Sequence, residues 1–275
     1  MKDPEESQGF GASLLPILEK LPVLTRYAKT HGWYYVISWL QRFTGVWLFI
    51  SLMVHMYILS SRQTPNVFNT AMKISDLPIF VFLAWASSLV LGFHALNGGR
   101  LILYELFGKR SDQAMIRWTF GLSVTYAAIV GFLMIVKNQS VSALFFWLIT
   151  FCVGAVTAYA VECRMTKARH SLFWKLQRIS GAFLFTSVPA YLIFLALNPV
   201  LADGAQDAMT RMQNTFIRVV TLTLAVSALY HAGYGLFSIA ADYASTRTVR
   251  VGMTALIVAV IAVLGGVAFR FIFSV

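Results

Sequence analysis

Charged residues are missing from seven long stretches of the chain: 43–61, 77–99, 118–136, 138–161, 179–202, 219–241 and 251–269. These stretches are 19, 23, 19, 24, 24, 23 and 19 residues long, close to the roughly 20 residues, at about 1.5 Å each, that cross a hydrocarbon core about 30 Å thick. The pattern predicts an all-α membrane protein with seven transmembrane helices, I to VII. Ahead of helix I, residues 10–27 (FGASLLPILEKLPVLTRY) are expected to lie at the membrane surface as a short amphipathic segment. The first 35 residues carry Asp3, Glu5, Glu6 and Glu19 and no apolar run before a small-residue cleavage site, so no cleavable signal is expected.

Composition agrees with this reading. Of the 275 residues 58% are apolar and 12% charged, against about 25% charged in a soluble domain, which excludes an ordinary soluble globule. In a soluble protein the net charge of +11 would suggest nucleic acid; here it matters where the cations sit. Lys2, Lys20, Arg26, Lys29, Lys109, Arg110, Arg117, Arg164, Lys167, Arg169, Lys175, Arg247 and Arg250 fall on one side, and Arg62, Lys73, Lys137, Arg211 and Arg270 on the other. The positive-inside rule then predicts a cytoplasmic N-terminus, an outer C-terminus and a basic face turned to any soluble partner. No nucleic acid is expected as a partner, and the expected location is a bacterial inner membrane. Cys152 and Cys163 stand eleven residues apart in helix IV, about 16 Å along the axis, too far for a disulfide within one straight helix. Both are expected to serve packing.

An internal repeat organises the chain. LQRFTG at 40–45 returns as LQRISG at 176–181, and HALNGGR at 94–100 is matched by HAGYGLF at 231–237. Each histidine of the second pair has a glycine four residues later and an acid eleven later: Gly98 and Glu105 after His94, Gly235 and Asp242 after His231. The expected organisation is a cytoplasmic or interfacial segment at 1–35, a three-helix repeat at 36–137, a linking transmembrane helix at 138–164 and a second three-helix repeat at 165–275. The linking helix returns the chain to the basic side, so that the repeats run parallel, related by an axis along the membrane normal.

Of the five histidines, His31 and His170 precede helices I and V in basic segments and are expected to be solvated or interfacial. His55, His94 and His231 lie within spans, where a polar side chain is costly and marks either function or an interhelical hydrogen bond. His94 is 15 residues before Lys109 and His231 is 16 before Arg247, so the two should share one height. His55 lies about 16 Å away in depth by the same count and cannot share a metal with them. Two histidines at matched depth on corresponding helices suit the iron of one haem b, held from both faces. A glycine one turn along the same helical face leaves room for a flat macrocycle. A zinc site lacks further ligands at that level.

At these residues the sequence resembles the cytochrome b membrane anchor of succinate dehydrogenases and fumarate reductases, over helices I, II, V and VI, with III and VII placed by order. In the two-chain form of that anchor, the large subunit has Ser-x-x-x-Arg followed by Thr/Ser-Gly and then His-x-x-x-Gly-x-Arg; this chain has Ser38, Arg42, Thr44 and Gly45, then His94, Gly98 and Arg100. The small subunit has a ligand histidine followed eleven and twelve residues later by Asp-Tyr, matching His231, Asp242 and Tyr243. The chain looks like both subunits fused, with helix IV as the join. It departs from the pattern at Gln41, where many anchors have histidine, and at Tyr191, which stands where the two-haem anchors would pair a ligand with His55. One haem is therefore expected.

The resemblance implies that a flavoprotein oxidises succinate to fumarate and an iron–sulfur protein hands electrons to this non-flavin subunit, where quinone is reduced. Two cysteines are too few for a cluster, and no dinucleotide-type glycine loop sits on a soluble unit. Ser38, Arg42, Asp242 and Tyr243, all at the basic ends of helices I and VI, are the expected quinone site: hydroxyls donate to quinone carbonyls and Arg42 stabilises the charge that builds on reduction. Arg42, Arg100 and Arg178 are further candidates to meet haem propionates. Two rivals are another cytochrome b, such as a hydrogenase or formate dehydrogenase subunit, and a seven-helix transporter or receptor without redox chemistry. The Ser38/Arg42 and Asp242/Tyr243 set argues against the former, and a haem spectrum would exclude the latter.

Overall fold

The computed structural model describes residues 33–62, 64–108, 112–136, 143–165, 170–197, 210 and 212–273. The amphipathic segment expected at 10–27 and His31 lie outside these. Helices α1 (Trp33–Ser61), α3 (Pro78–Phe107), α4 (Asp112–Val136), α5 (Ala143–Met165), α6 (Leu172–Leu197), α7 (Thr215–Tyr243) and α8 (Arg247–Phe273) correspond to spans I to VII. All seven are long and apolar enough to cross a membrane, and the chain is an integral membrane protein.

The helices outrun the charge-free stretches, mainly on the basic side. Helix α1 begins ten residues before Phe43, and α3 continues through Arg100 and Glu105 to Phe107. Absence of charge marks only the hydrocarbon layer; the backbone keeps its ladder of hydrogen bonds into the interface, where charged side chains are tolerated. Local signals set the ends. Pro78 stands in the first turn of α3, and Gly108 closes the helix at φ 68°, its N–H bonded to the Tyr104 carbonyl. Asn214 caps α7 by accepting from the N–H groups of Phe216 and Ile217 at 3.0 and 3.2 Å.

One helix was not anticipated. Between spans I and II, α2 (Pro65–Ser75) seats Phe68 fully against the bundle, beneath the Arg62 guanidinium at 5.5 Å, and leaves Lys73 outside. Eleven residues are too few to span, and the two-sided pattern suits a helix lying at the membrane surface.

Helices α1, α3, α6 and α7 form a ring at the centre, each touching the next. Helix α4 lies outside on α3, α5 outside on α6 and α8 outside on α7. The contacts are reciprocal: α4 also reaches α6, the first helix of the other repeat, as α8 reaches α1. Small residues permit the close approaches: a methyl group at Gly92 would come within 3.3 Å of Ser123, and one at Gly154 within 2.8 Å of Ser187 Oγ. Cys152 and Cys163 are free thiols on the outward surface of α5, so they line the periphery and do not serve the packing expected of them.

Candidate functional site

Two facing imidazoles occupy the middle of the ring. His94 on α3 and His231 on α7, at opposite corners, have ring centres 6.3 Å apart and planes at 87°. The matched depth expected from the loop cations is present.

The hydrogen-bond partners assign a tautomer to each ring. Nδ1 of His231 lies 3.3 Å from the Gln177 carbonyl, which can only accept, so Nδ1 carries the proton. Nδ1 of His94 lies 3.2 Å from Thr44 Oγ1, whose own proton is given to the Leu40 carbonyl at 2.7 Å and the Gln41 carbonyl at 3.1 Å. With its proton on a backbone carbonyl, that hydroxyl accepts from His94, and this assignment puts the His94 proton on Nδ1. Both rings are left with a lone pair on Nε2, the form in which imidazole binds a metal. Among the described residues no group of three or more His, Cys, Asp or Glu could hold a metal ion. Two imidazoles alone suit a metal whose remaining ligands come from elsewhere.

Glycines shape the space in two ways. Gly45 on α1 and Gly181 on α6 back the rings: a Cβ there would stand 3.1 Å from Cε1 of His94 and 3.0 Å from Cε1 of His231. These glycines of the LQRFTG and LQRISG segments let the helices approach the histidines closely. Gly98 and Gly235, one turn after the histidines, differ: a Cβ would meet only Gln41 Nε2 at 3.6 Å and Gln177 Nε2 at 3.9 Å, ordinary contacts that the chain itself would accept.

The two glutamines were missed as partners of the histidine sites, although each is the second residue of its repeat motif. Gln41 donates to the His94 carbonyl at 3.2 Å and accepts from Asn97 Nδ2 at 2.8 Å. In the second repeat Tyr234 replaces Asn97, and buried Gln177 Oε1 has no hydrogen-bond partner among the described residues.

Nearer the basic side the structure gathers the four residues expected together. Arg42 Nη2 donates to Asp242 Oδ2 at 2.7 Å, Nη1 donates to Ser38 Oγ at 3.4 Å, and the guanidinium lies 5.6 Å from the Tyr243 ring centre. Arg178, the repeat counterpart of Arg42, grips Glu105 with two bonds, Nε to Oε2 at 2.8 Å and Nη2 to Oε1 at 2.7 Å. Each arginine thus takes the acid eleven residues after the other repeat's histidine. Arg100 is elsewhere, buried on α3 with its guanidinium 5.4 Å from the Tyr104 ring centre.

The two edges between repeats are unequal. Where α3 meets α6, Phe185 lies against Gly99, Trp174 stands in the place of Ser38 with the Arg178 guanidinium 4.6 Å from its ring centre, and His170 lies tilted against Trp174 with ring centres 3.9 Å apart. Where α1 meets α7 the contact is slighter, and Arg42 and Asp242 are 38% and 49% exposed, against 25% and 30% for Arg178 and Glu105.

On the side away from the basic loops, His55 and Tyr191, also repeat counterparts, touch each other, Tyr191 Oη and His55 Nε2 being 3.4 Å apart. Among the described residues neither ring is one of the nearest neighbours within 4 Å of a glycine's Cβ position, and Trp147 lies on Tyr191 with ring centres 5.8 Å apart.

No curated protein and no solved structure matches the chain. The family model of the succinate dehydrogenase/fumarate reductase transmembrane subunit matches it twice, over residues 19–136 and 162–269. These segments bracket most of α5 and cover the helices of the two repeats except the last turn of α8. The chain therefore belongs to the succinate dehydrogenase/fumarate reductase transmembrane subunit family and is a membrane anchor of that oxidoreductase complex.

Proposed function

We propose that this anchor carries one haem b between His94 and His231, takes electrons from an iron–sulfur partner docked on its basic, cytoplasmic face, and reduces quinone between α1 and α7. The observation that carries the reading is the pair of opposed imidazoles, each with Nδ1–H committed to the first helix of its own repeat and a lone pair on Nε2. Two imidazole–metal bonds of about 2 Å each place ring centres about 6 Å apart, which the separation of 6.3 Å fits. Gly98 and Gly235 add a cradle that the chain itself has no need to keep open. Bound there, haem supplies a one-electron centre within the membrane. The outer pair does not fit a second: His55 and Tyr191 touch directly among bulky neighbours.

The quinone site is assigned by broken symmetry. Both inter-repeat edges carry an arginine–acid pair, but only the α1–α7 edge adds Ser38 and Tyr243 and stays open. There the two hydroxyls donate to quinone oxygens, Arg42 stabilises the negative charge of reduction, and Asp242 holds Arg42 in place and passes protons. Succinate oxidation belongs to the flavoprotein partner.

Purification of the intact complex tests this reading. A dithionite-reduced b-type spectrum, one haem per chain and co-purified flavoprotein and iron–sulfur proteins are expected. His94→Ala or His231→Ala should abolish the spectrum and His55→Ala should leave it. A haem-free complex, or two haems per chain, would overturn the assignment.

A further inference from the structure

We infer that the Glu105–Arg178 pair sets the electrostatic potential at the facing imidazoles and so tunes the midpoint potential of the group they hold; this rests on the haem reading above. Arg178 directly follows Gln177, whose carbonyl takes the His231 Nδ1–H, and precedes by one turn Gly181, which backs the same ring. Its charge therefore stands on the turn of α6 that touches one ligand, while its partner Glu105 lies on α3, the helix that carries the other.

The pair is built so that its charges are felt. The carboxylate takes both of its bonds from one guanidinium, at 2.7 and 2.8 Å, and Trp174 covers that guanidinium. The two side chains are 25% and 30% exposed, so water and salt screen them less than a fully open pair. The corresponding pair at the other edge, Arg42–Asp242, makes one bond and is more exposed, so water and salt damp its field. Glu105–Arg178 lacks the counterparts of the two donor hydroxyls: Trp174 stands where Ser38 would be and Leu106 where Tyr243 would be. It is left with a fixed field as its contribution.

Neutralising each partner in the holo-complex and titrating the haem potentiometrically tests this. Glu105→Gln leaves the Arg178 charge unopposed and should raise the midpoint, since a cation favours the reduced form. Arg178→Gln leaves the Glu105 charge and should lower it, and Arg178→Lys should restore it. A pair that only clips helices together would move both neutral variants the same way or neither, and that result overturns the inference. Should a neutral variant lose its haem, the exchange Glu105→Arg with Arg178→Glu keeps an ion pair and brings the negative charge beside His231. A lowered midpoint supports the inference; an unshifted or raised one, or loss of haem, overturns it. The wild-type spectrum separates the failures: no haem in the wild type removes the reading beneath, while haem present with an unresponsive midpoint removes only this inference.

Discussion

Gly98 shows what a single residue discloses. In an exposed helix interior, glycine costs about 1 kcal/mol relative to alanine, and among the described residues nothing lies close enough to forbid a Cβ at Gly98. Gly98→Ala and Gly235→Ala should therefore leave the bundle as stable or firmer in thermal unfolding, while haem content, read as the reduced b-type band per chain, falls. Unchanged haem in both would show that the cradle is not used. The histidines and their glycines were legible because a repeat makes such residues stand out in pairs. The roles of Gln41 and Thr44 were not, since a hydrogen bond to a ring on another helix leaves no mark on the spacing within its own.

Between elements, the reach of α1 and α7 beyond the apolar layer brings Ser38, Arg42, Asp242 and Tyr243 to one edge. Tyr243→Phe removes one donor, worth about 1 kcal/mol, and should lower kcat/KM for quinone by roughly fivefold to tenfold with haem retained. Arg42→Ala removes a charged donor, about 1.5–3 kcal/mol, and should cost roughly tenfold to a hundredfold. Succinate oxidation with an acceptor that draws electrons upstream should persist in both. Normal quinone turnover in Tyr243→Phe and Ser38→Ala together would place the site elsewhere. The acids eleven residues after each histidine were visible in the sequence, but not which arginine each would meet. Spacing along one helix does not say which foreign helix lies beside it, and the exchange between repeats becomes visible only once the ring of four closes.

For the whole molecule, seven spans could be read directly because the hydrocarbon layer rejects charge along the entire helix. The surface helix α2 escaped the same test, being short and two-sided and carrying Lys73. The basic face is proposed as the docking side. Single cysteines placed at 112 and 204, in a chain whose Cys152 and Cys163 are first replaced, should label from the cytoplasmic and outer sides respectively. Labelling of position 204 from the cytoplasm would invert the proposed topology and remove the partner from the basic face.

Helix α5 has a consequence of a different kind. The Arg42–Asp242 and Arg178–Glu105 pairs and the imidazole pair each draw one member from either half, and the segment carrying α5 keeps those halves on a single polypeptide. Their meeting is thus governed by an effective concentration set by the tether and not by how much protein the membrane holds. Equal numbers of the two halves are guaranteed without matched synthesis, and dilution in the lipid phase leaves their pairing untouched.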